Sequence, residues 1–327
     1  MNHRPPDLVN TIQSFPHDFP FDPTYGFDLP RLEAIAPPPP FPGFEAFWRE
    51  AYAGALAAPL AAERSPCPLE RPGYRVEEVS FLAADGLRIG GWLMSPLEEA
   101  PRRAIVVGHG YGGREAPDEG DPVTPTLYLY FCARGFHRSA HSHLPDNSAR
   151  HVIHGIQARE TYILRGCALD LWAATGALLQ WAPELAERLY YNGGSFGGGL
   201  GALAVPWDAR IKRCHLRQPT FGNHPFRLQA ECRGSGESVR LYSKRHPEVI
   251  DVLRYFDAAT TAAFMTIPAL VSISLFDPAV PPPGQFSVYN AIPSRKERIL
   301  EPAGHFDYPA AETFQKEQSR RVNQWFS

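Results

Sequence analysis

The run Leu189-Tyr190-Tyr191-Asn192-Gly193-Gly194-Ser195-Phe196-Gly197-Gly198-Gly199 passes from a short apolar segment into a glycine-bracketed serine and on into small residues. The spacing Gly193-x-Ser195-x-Gly197 is that of a strand–turn–helix elbow, in which the serine takes a strained conformation and small neighbours let strand and helix approach. Such a turn lifts the hydroxyl to the N-terminus of a helix, where backbone N–H groups and the helix dipole favour a developing oxyanion. The chemistry it suits is acyl transfer through Ser195. Alone, the spacing also describes a tight turn ahead of a buried helix, so other segments must decide.

Three do. Arg103-Ala104-Ile105-Val106-Val107-Gly108-His109-Gly110-Tyr111-Gly112-Gly113 reads as a buried strand ending in a glycine-rich loop, similar to the histidine-glycine loops that supply an oxyanion N–H. Pro268 to Leu275 is another strand pattern, followed by Phe276-Asp277-Pro278, which puts a carboxylate at a strand end. Ile299-Leu300-Glu301-Pro302-Ala303-Gly304-His305 places an imidazole after a short strand and a small-residue turn. Singly, Asp277 could merely start an Asp-Pro turn and His305 could be a solvated loop residue. Together the order Ser195, Asp277, His305 is the nucleophile–acid–base order of α/β-hydrolases, not that of chymotrypsin or subtilisin.

The elements that must position these residues can be read coarsely. Residues 1–43 form a proline- and aromatic-rich arm ending in Pro37-Pro38-Pro39-Pro40, with Phe15, Phe19, Phe21, Tyr25 and Phe27 as expected buried anchors on its own domain or a neighbouring subunit. Phe44 to Ala62 has helical periodicity, and Tyr74 to Ala83 with Leu87 to Met94 form a hairpin around Asp85-Gly86. Helices are expected at Thr124–Arg134, Glu160–Gln180, Phe196–Val205, Gly284–Ala291 and Ala311–Phe326. A strand is expected at Ile211–Gln218. This alternation predicts a mainly parallel, doubly wound α/β sheet in one domain over residues 44–327. Between its last strands lies a long insertion, about residues 220–266, with helical segments at Glu237–Arg245 and Pro247–Ala258. It reads as a helical cap over the site.

Composition narrows the class. The 327 residues are 44% hydrophobic and carry a net charge of −3, which supports a large core and gives no basic footprint for nucleic acid or an anionic membrane. The start, Met1 to Asp7, lacks an apolar signal core, and no run is long enough to span a bilayer, so a cytoplasmic protein is expected. Five scattered cysteines without C-x-x-C spacing suggest neither disulfides nor a zinc ribbon.

The stretch Phe41-Pro42-Gly43-Phe44-Glu45-Ala46-Phe47-Trp48, the loop His109-Gly110-Tyr111, the elbow around Ser195, Tyr255-Phe256-Asp257, and Asp277-Pro278-Ala279-Val280-Pro281-Pro282-Pro283 followed by Tyr289-Asn290 resemble the acetyl xylan esterase and cephalosporin C deacetylase family. The resemblance covers about residues 40–327 and is most specific at the aspartate with its proline run and Tyr-Asn. It implies an α/β-hydrolase in which Ser195 is the nucleophile, His305 the general base, Asp277 its orienting acid, and the N–H groups of Tyr111 and Phe196 the oxyanion hole. It further implies removal of acetyl groups from xylo-oligosaccharides and cephalosporin C, and assembly into homo-oligomers.

One departure stands out. After a helix and an apolar strand the family has an Arg-Gly-Gln brace, and the stretch read as corresponding, His137 to Asp146, lacks it. That stretch and its surroundings contain His141, His143, His151 and His154, a histidine cluster that could suggest a metal. No cysteine and only Asp146 stand near it, so a solvated loop is the plainer reading, and the chemistry above needs neither metal nor cofactor. Beside the esterase reading stand a thioesterase, a peptidase or an acyltransferase on the same triad, and a catalytically silent binding protein on the same fold.

Overall fold

A computed structural model describes residues 11–121 and 123–327; residues 1–10 of the expected arm, with the Met1–Asp7 start, lie outside them. Nine strands form one sheet: β1 (Glu63–Pro66), β2 (Tyr74–Leu82), β3 (Arg88–Pro96), β4 (Arg103–Gly108), β5 (Thr126–Phe131), β6 (Leu189–Gly194), β7 (Arg213–Arg217), β8 (Ala269–Ser274) and β9 (Lys296–Glu301). Their spatial order is β1-β2-β3-β5-β4-β6-β7-β8-β9. The pairs β1–β2, β2–β3 and β3–β5 are antiparallel and all others parallel. Every residue of β4, β5 and β8 is buried, as expected of parallel strands covered on both faces.

In chain order the helices are α1 (Leu29–Glu33), α2 (Phe44–Ala57), α3 (Ser148–His151), α4 (Ile163–Trp181), α5 (Phe196–Ala204), α6 (His224–Arg227), α7 (Ser235–Arg245), α8 (Ile250–Leu253), α9 (Ala258–Ala262), α10 (Pro282–Ala291) and α11 (Ala311–Trp325). The α4 and α5 helices pack on each other and against β4, and α2 packs on α4. On the other face Val322, Trp325 and Phe326, at the C-terminal end of α11, pack with Ile105, Val107, Tyr190 and Leu270. This is the α/β-hydrolase fold. Among the described residues no helix is long and apolar enough to cross a membrane.

The helix expected at Thr124–Arg134 is instead strand β5. The segment Thr126-Leu127-Tyr128-Leu129-Tyr130-Phe131 is a short apolar run whose period cannot separate buried strand from buried helix, and pairing with both β3 and β4 settles it as strand. The β4–β5 connection is therefore a loop rather than a helix. It leaves a cleft of about 650 Å³ on that face, lined by Asp118, Tyr128, Tyr130 and Gln318 among others.

This shift also relocates the brace. The residues that follow the strand are Arg134-Gly135-Phe136, so the arginine and glycine of the motif are present and Phe136 stands where glutamine was expected. The Arg134 guanidinium bonds Asp170 (2.7 Å) and Asp85 (2.6 Å), and its backbone N–H donates to Asp170 (2.9 Å). Phe136 packs on His151 and Phe196, with ring centroids at 4.7 and 6.2 Å.

The arm lies on its own domain. Pro23 C=O accepts from the Asp277 N–H (3.2 Å), and the Tyr25 hydroxyl donates to the Glu231 carbonyl (2.8 Å). Phe15 meets Phe276 and Phe306 at 5.2 and 5.9 Å. Its aromatic residues are half-buried rather than fully buried, because they cover loops at the rim of the sheet instead of entering the core. The insertion after β7 carries α6, α7 and α8, while α9 returns to pack on α5 and α10.

Candidate active site

Ser195 sits between β6 and α5 with φ 54° and ψ −112°, a conformation outside the usual range for an L-residue. Its N–H donates to the Arg217 carbonyl (2.8 Å), which ties the turn to β7. The flanking glycines are required by space. A Cβ at Gly193 would stand 2.6 Å from the Gly197 carbonyl oxygen, and one at Gly197 would stand 2.9 Å from that of His109.

The structure brings three of the sequence-identified residues together although 110 positions separate the first from the last. The Ser195 hydroxyl lies 2.9 Å from His305 Nε2, and His305 Nδ1 lies 2.9 Å from Asp277 Oδ2 and 3.1 Å from Oδ1. A carboxylate only accepts, so Nδ1 carries the proton and Nε2 is left to accept from the serine hydroxyl. Burial disfavours the imidazolium, but the Asp277 charge and hydrogen bond outweigh it and raise the His305 pKa above its ordinary value.

Asp277 itself is wholly buried. Its Oδ1 accepts from the N–H groups of Ala279 and Val280, both at 2.9 Å, and its Oδ2 from Ser274 Oγ (2.9 Å) and Gln285 Nε2 (3.1 Å). With four protein donors besides the imidazole, the anion is held in one orientation. The Asp-Pro pair thus does form a turn, and that turn supplies the two N–H groups. Ser274 and Gln285 escaped the sequence reading because neither type marks a site; the position of Gln285 inside the proline run to Tyr-Asn was the available signal.

The loop after β4 approaches from the other side. Gly110 faces Ser195, with the position of a Cβ there 3.8 Å from the serine Cβ, and the Tyr111 ring stacks on Phe196 at 4.3 Å. The loop is held by His109, another residue whose role was not foreseen. Its Nε2 accepts from the Ala133 N–H (2.9 Å), so Nδ1 carries the proton and donates to the Gly110 carbonyl (2.7 Å). Burial pushes the His109 pKa down to about 4, and a neutral ring is what this pair of bonds requires.

The histidines weighed as metal ligands are dispersed. His141 and His143 lie side by side on the surface with rings 5.7 Å apart, while His151 is buried against the Arg134 carbonyl. Among the described residues no group of three or more His, Cys, Asp or Glu side chains could hold a metal ion.

A model of the family described as acetyl xylan esterase (AXE1) matches residues 29–326. Acetyl esterase Axe7A of Xylanibacter ruminicola is 23% identical over 157 residues, which is 48% of this chain and only 36% of that relative's length. Among solved structures, acetyl xylan esterase from Paenibacillus sp. R4 superposes with a TM-score of 0.75 at 22% identity, covering 90% of this chain and 99% of its own. Acetyl xylan esterase 1 from Thermoanaerobacterium sp. JW/SL YS485 gives 0.76 at 20% identity, covering 91% and 98%. At these identities the superpositions establish the shared fold.

Proposed function

The chain belongs to the acetyl xylan esterase family, and on that premise we propose that it is a serine esterase removing small acyl groups, acetyl above all, from acetylated sugars such as xylo-oligosaccharides. The observation that carries this reading is the unbroken hydrogen-bonded line from Asp277 through His305 to the Ser195 hydroxyl on a strained elbow. His305 takes the serine proton as Oγ attacks the ester carbonyl, and the tautomer held by Asp277 leaves Nε2 free to do so. The tetrahedral oxyanion is received by the N–H groups of Tyr111 and Phe196, each such donor contributing about 2.7–4 kcal/mol to the transition state. His305 then protonates the leaving alcohol, and water, activated by the same imidazole, releases the acid from acyl-Ser195.

No step needs a metal or cofactor. Cephalosporin C belongs to the same proposal as a second small acetyl ester, and a homo-oligomer goes with it as a property implied by the family. Hydrolysis of 4-nitrophenyl acetate, butyrate and octanoate by the native protein and by Ser195→Ala tests the reading. Turnover that falls with acyl length and vanishes in the variant supports it. Equal inactivity of both proteins on every ester sinks it and leaves a binding protein on the same fold.

A further inference from the structure

Five arginines are buried among the described residues: Arg103, Arg134, Arg227, Arg240 and Arg298. Four have carboxylate partners, in Asp121, Asp85 with Asp170, Glu237 and Glu33. Arg227, at the end of α6 within the insertion, is 5% exposed; among the described residues no carboxylate pairs with it, and its buried Nε has no hydrogen-bond partner. Burying a guanidinium without a counter-charge is costly, and its planar fork of N–H groups is matched best by a carboxylate.

Its surroundings connect it to the catalytic serine. The Arg227 Cζ stands 5.8 Å from the Phe221 ring, which packs edge-on against Phe196, the neighbour of Ser195, at 6.1 Å and against Tyr111 at 6.4 Å. Gly236 makes room for the guanidinium, since a Cβ there would stand 2.7 Å from an Nη atom. Of the six other buried side-chain polar atoms without a hydrogen-bond partner among the described residues, three belong to this neighbourhood: the Tyr111 hydroxyl, His151 Nδ1 and His224 Nδ1. Both imidazoles donate through Nε2 to carbonyls, of Arg134 (3.0 Å) and Phe256 (3.1 Å), so each unpartnered Nδ1 is an acceptor. The Arg227 charge acts on the Tyr111, Tyr162 and His224 side chains. The region beside the elbow thus holds a lone cation with an uncommitted hydroxyl and uncommitted acceptors, rather than apolar groups alone.

From this arrangement we infer that Arg227 is a specificity-determining residue that receives a carboxylate of the substrate, so the preferred esters are acidic ones. This deepens the esterase reading and rests on it. The carboxylate has two possible sources: the acyl group, as in a dicarboxylic half-ester, or the alcohol, as in an acetylated uronic acid.

The test compares kcat/KM of the native protein and Arg227→Gln for two matched pairs: 4-nitrophenyl hemisuccinate against 4-nitrophenyl acetate, and acetylated methyl glucuronoside against acetylated methyl glucoside. The expected result is a native preference for the acidic member of one pair, with the acidic-to-neutral ratio falling at least about 30-fold in Arg227→Gln. Arg227→Lys restores part of it. The pair that responds identifies the source. Absence of a native preference, or a preference that survives Arg227→Gln, overturns the inference while leaving the esterase intact.

If Arg227→Gln does not fold, protection of native Ser195 from phenylmethylsulfonyl fluoride decides. Slowing by succinate or glucuronate but not by glucose upholds the assignment, and equal rates overturn it. If the native protein hydrolyses no ester, the esterase reading fails separately, and calorimetric titration of succinate and glucuronate into the native protein and Arg227→Lys judges Arg227 alone. Binding weakened in the variant upholds the carboxylate site; no binding to the native protein, or binding unchanged in the variant, overturns it.

Discussion

Asp277 and Gly304 are packed so closely that a Cβ on residue 304 would lie 2.4 Å from Asp277 Oδ2, and also 2.7 Å from Gln218 Nε2 and Ser274 Oγ. The contact joins the two loops that carry Asp277 and His305, and the Gly304 N–H donating to the Phe276 carbonyl (2.8 Å) closes it. Gly304→Ala must displace the carboxylate or the histidine loop. The expected result is a loss of kcat of about 100-fold from a misplacement on the scale of 1 Å, with far-UV circular dichroism unchanged.

Asp277 holds the proton on His305 Nδ1. Asp277→Asn lets the amide donate to Nδ1 and drives the proton to Nε2, where it blocks acceptance from Ser195. Steady-state kinetics should show kcat lower by about 10⁴-fold. Because Asp277 raises the His305 pKa and the base works only when neutral, the acid limb of the native kcat/KM profile lies above the ordinary histidine value of 6.5. The same raised pKa adds stability that is fully present below pH 6.5 and is lost as pH rises through the folded-state value.

Four buried histidines act with the opposite sign. Burial lowers His109 and His151 to about 4 and His215 and His224 to about 3. Their folded pKa values lie below the unfolded value near 6.5, so their contribution is whole above that pH and is lost as pH falls toward 3. Thermal unfolding followed from pH 7 to pH 4 should show a falling Tm. His215 bonds Asn192 Oδ1 (2.9 Å) and Ser272 Oγ (2.8 Å) through its two nitrogens, and His215→Gln should flatten part of that fall while lowering Tm at pH 7.

Arg134 offsets two carboxylates, one of them, Asp170, wholly buried. Arg134→Met leaves Asp170 buried without its counter-charge. Urea unfolding should show a loss of about 3–5 kcal/mol, and Arg134→Met combined with Asp170→Leu should recover much of it.

The arm reaches the loops of Asp277 and His305 through Pro23 on Asp277 and through Phe15 on Phe276 and Phe306. Phe15→Ala combined with Phe19→Ala removes ring packing from both loops without touching the triad. The expected outcome is a severalfold lower kcat with faster amide exchange in segments 274–280 and 302–308.

What could be read from residue order was whatever short-range backbone chemistry writes locally. The elbow needs glycines within two positions of Ser195, and the turn at Asp277 is closed by its own carboxylate accepting from the Ala279 and Val280 N–H groups. Apolar runs of four to eight residues announce strands at β4, β6 and β8. The order serine, aspartate, histidine therefore pointed to the fold and to the three residues before any contact was known. Where local pattern is degenerate, the reading failed: residues 126–131 suit a buried helix or a buried strand, and only pairing with β3 and β4 decides between them. That one error also hid Arg134-Gly135 as the brace. Convergence is likewise a property of the closed sheet. The approach of His305 to Ser195, the embrace of Arg134 by Asp85 and Asp170, and the isolation of Arg227 all join residues from separate elements. Their distances are set by how strands stack and loops pack, and no local pattern carries that information.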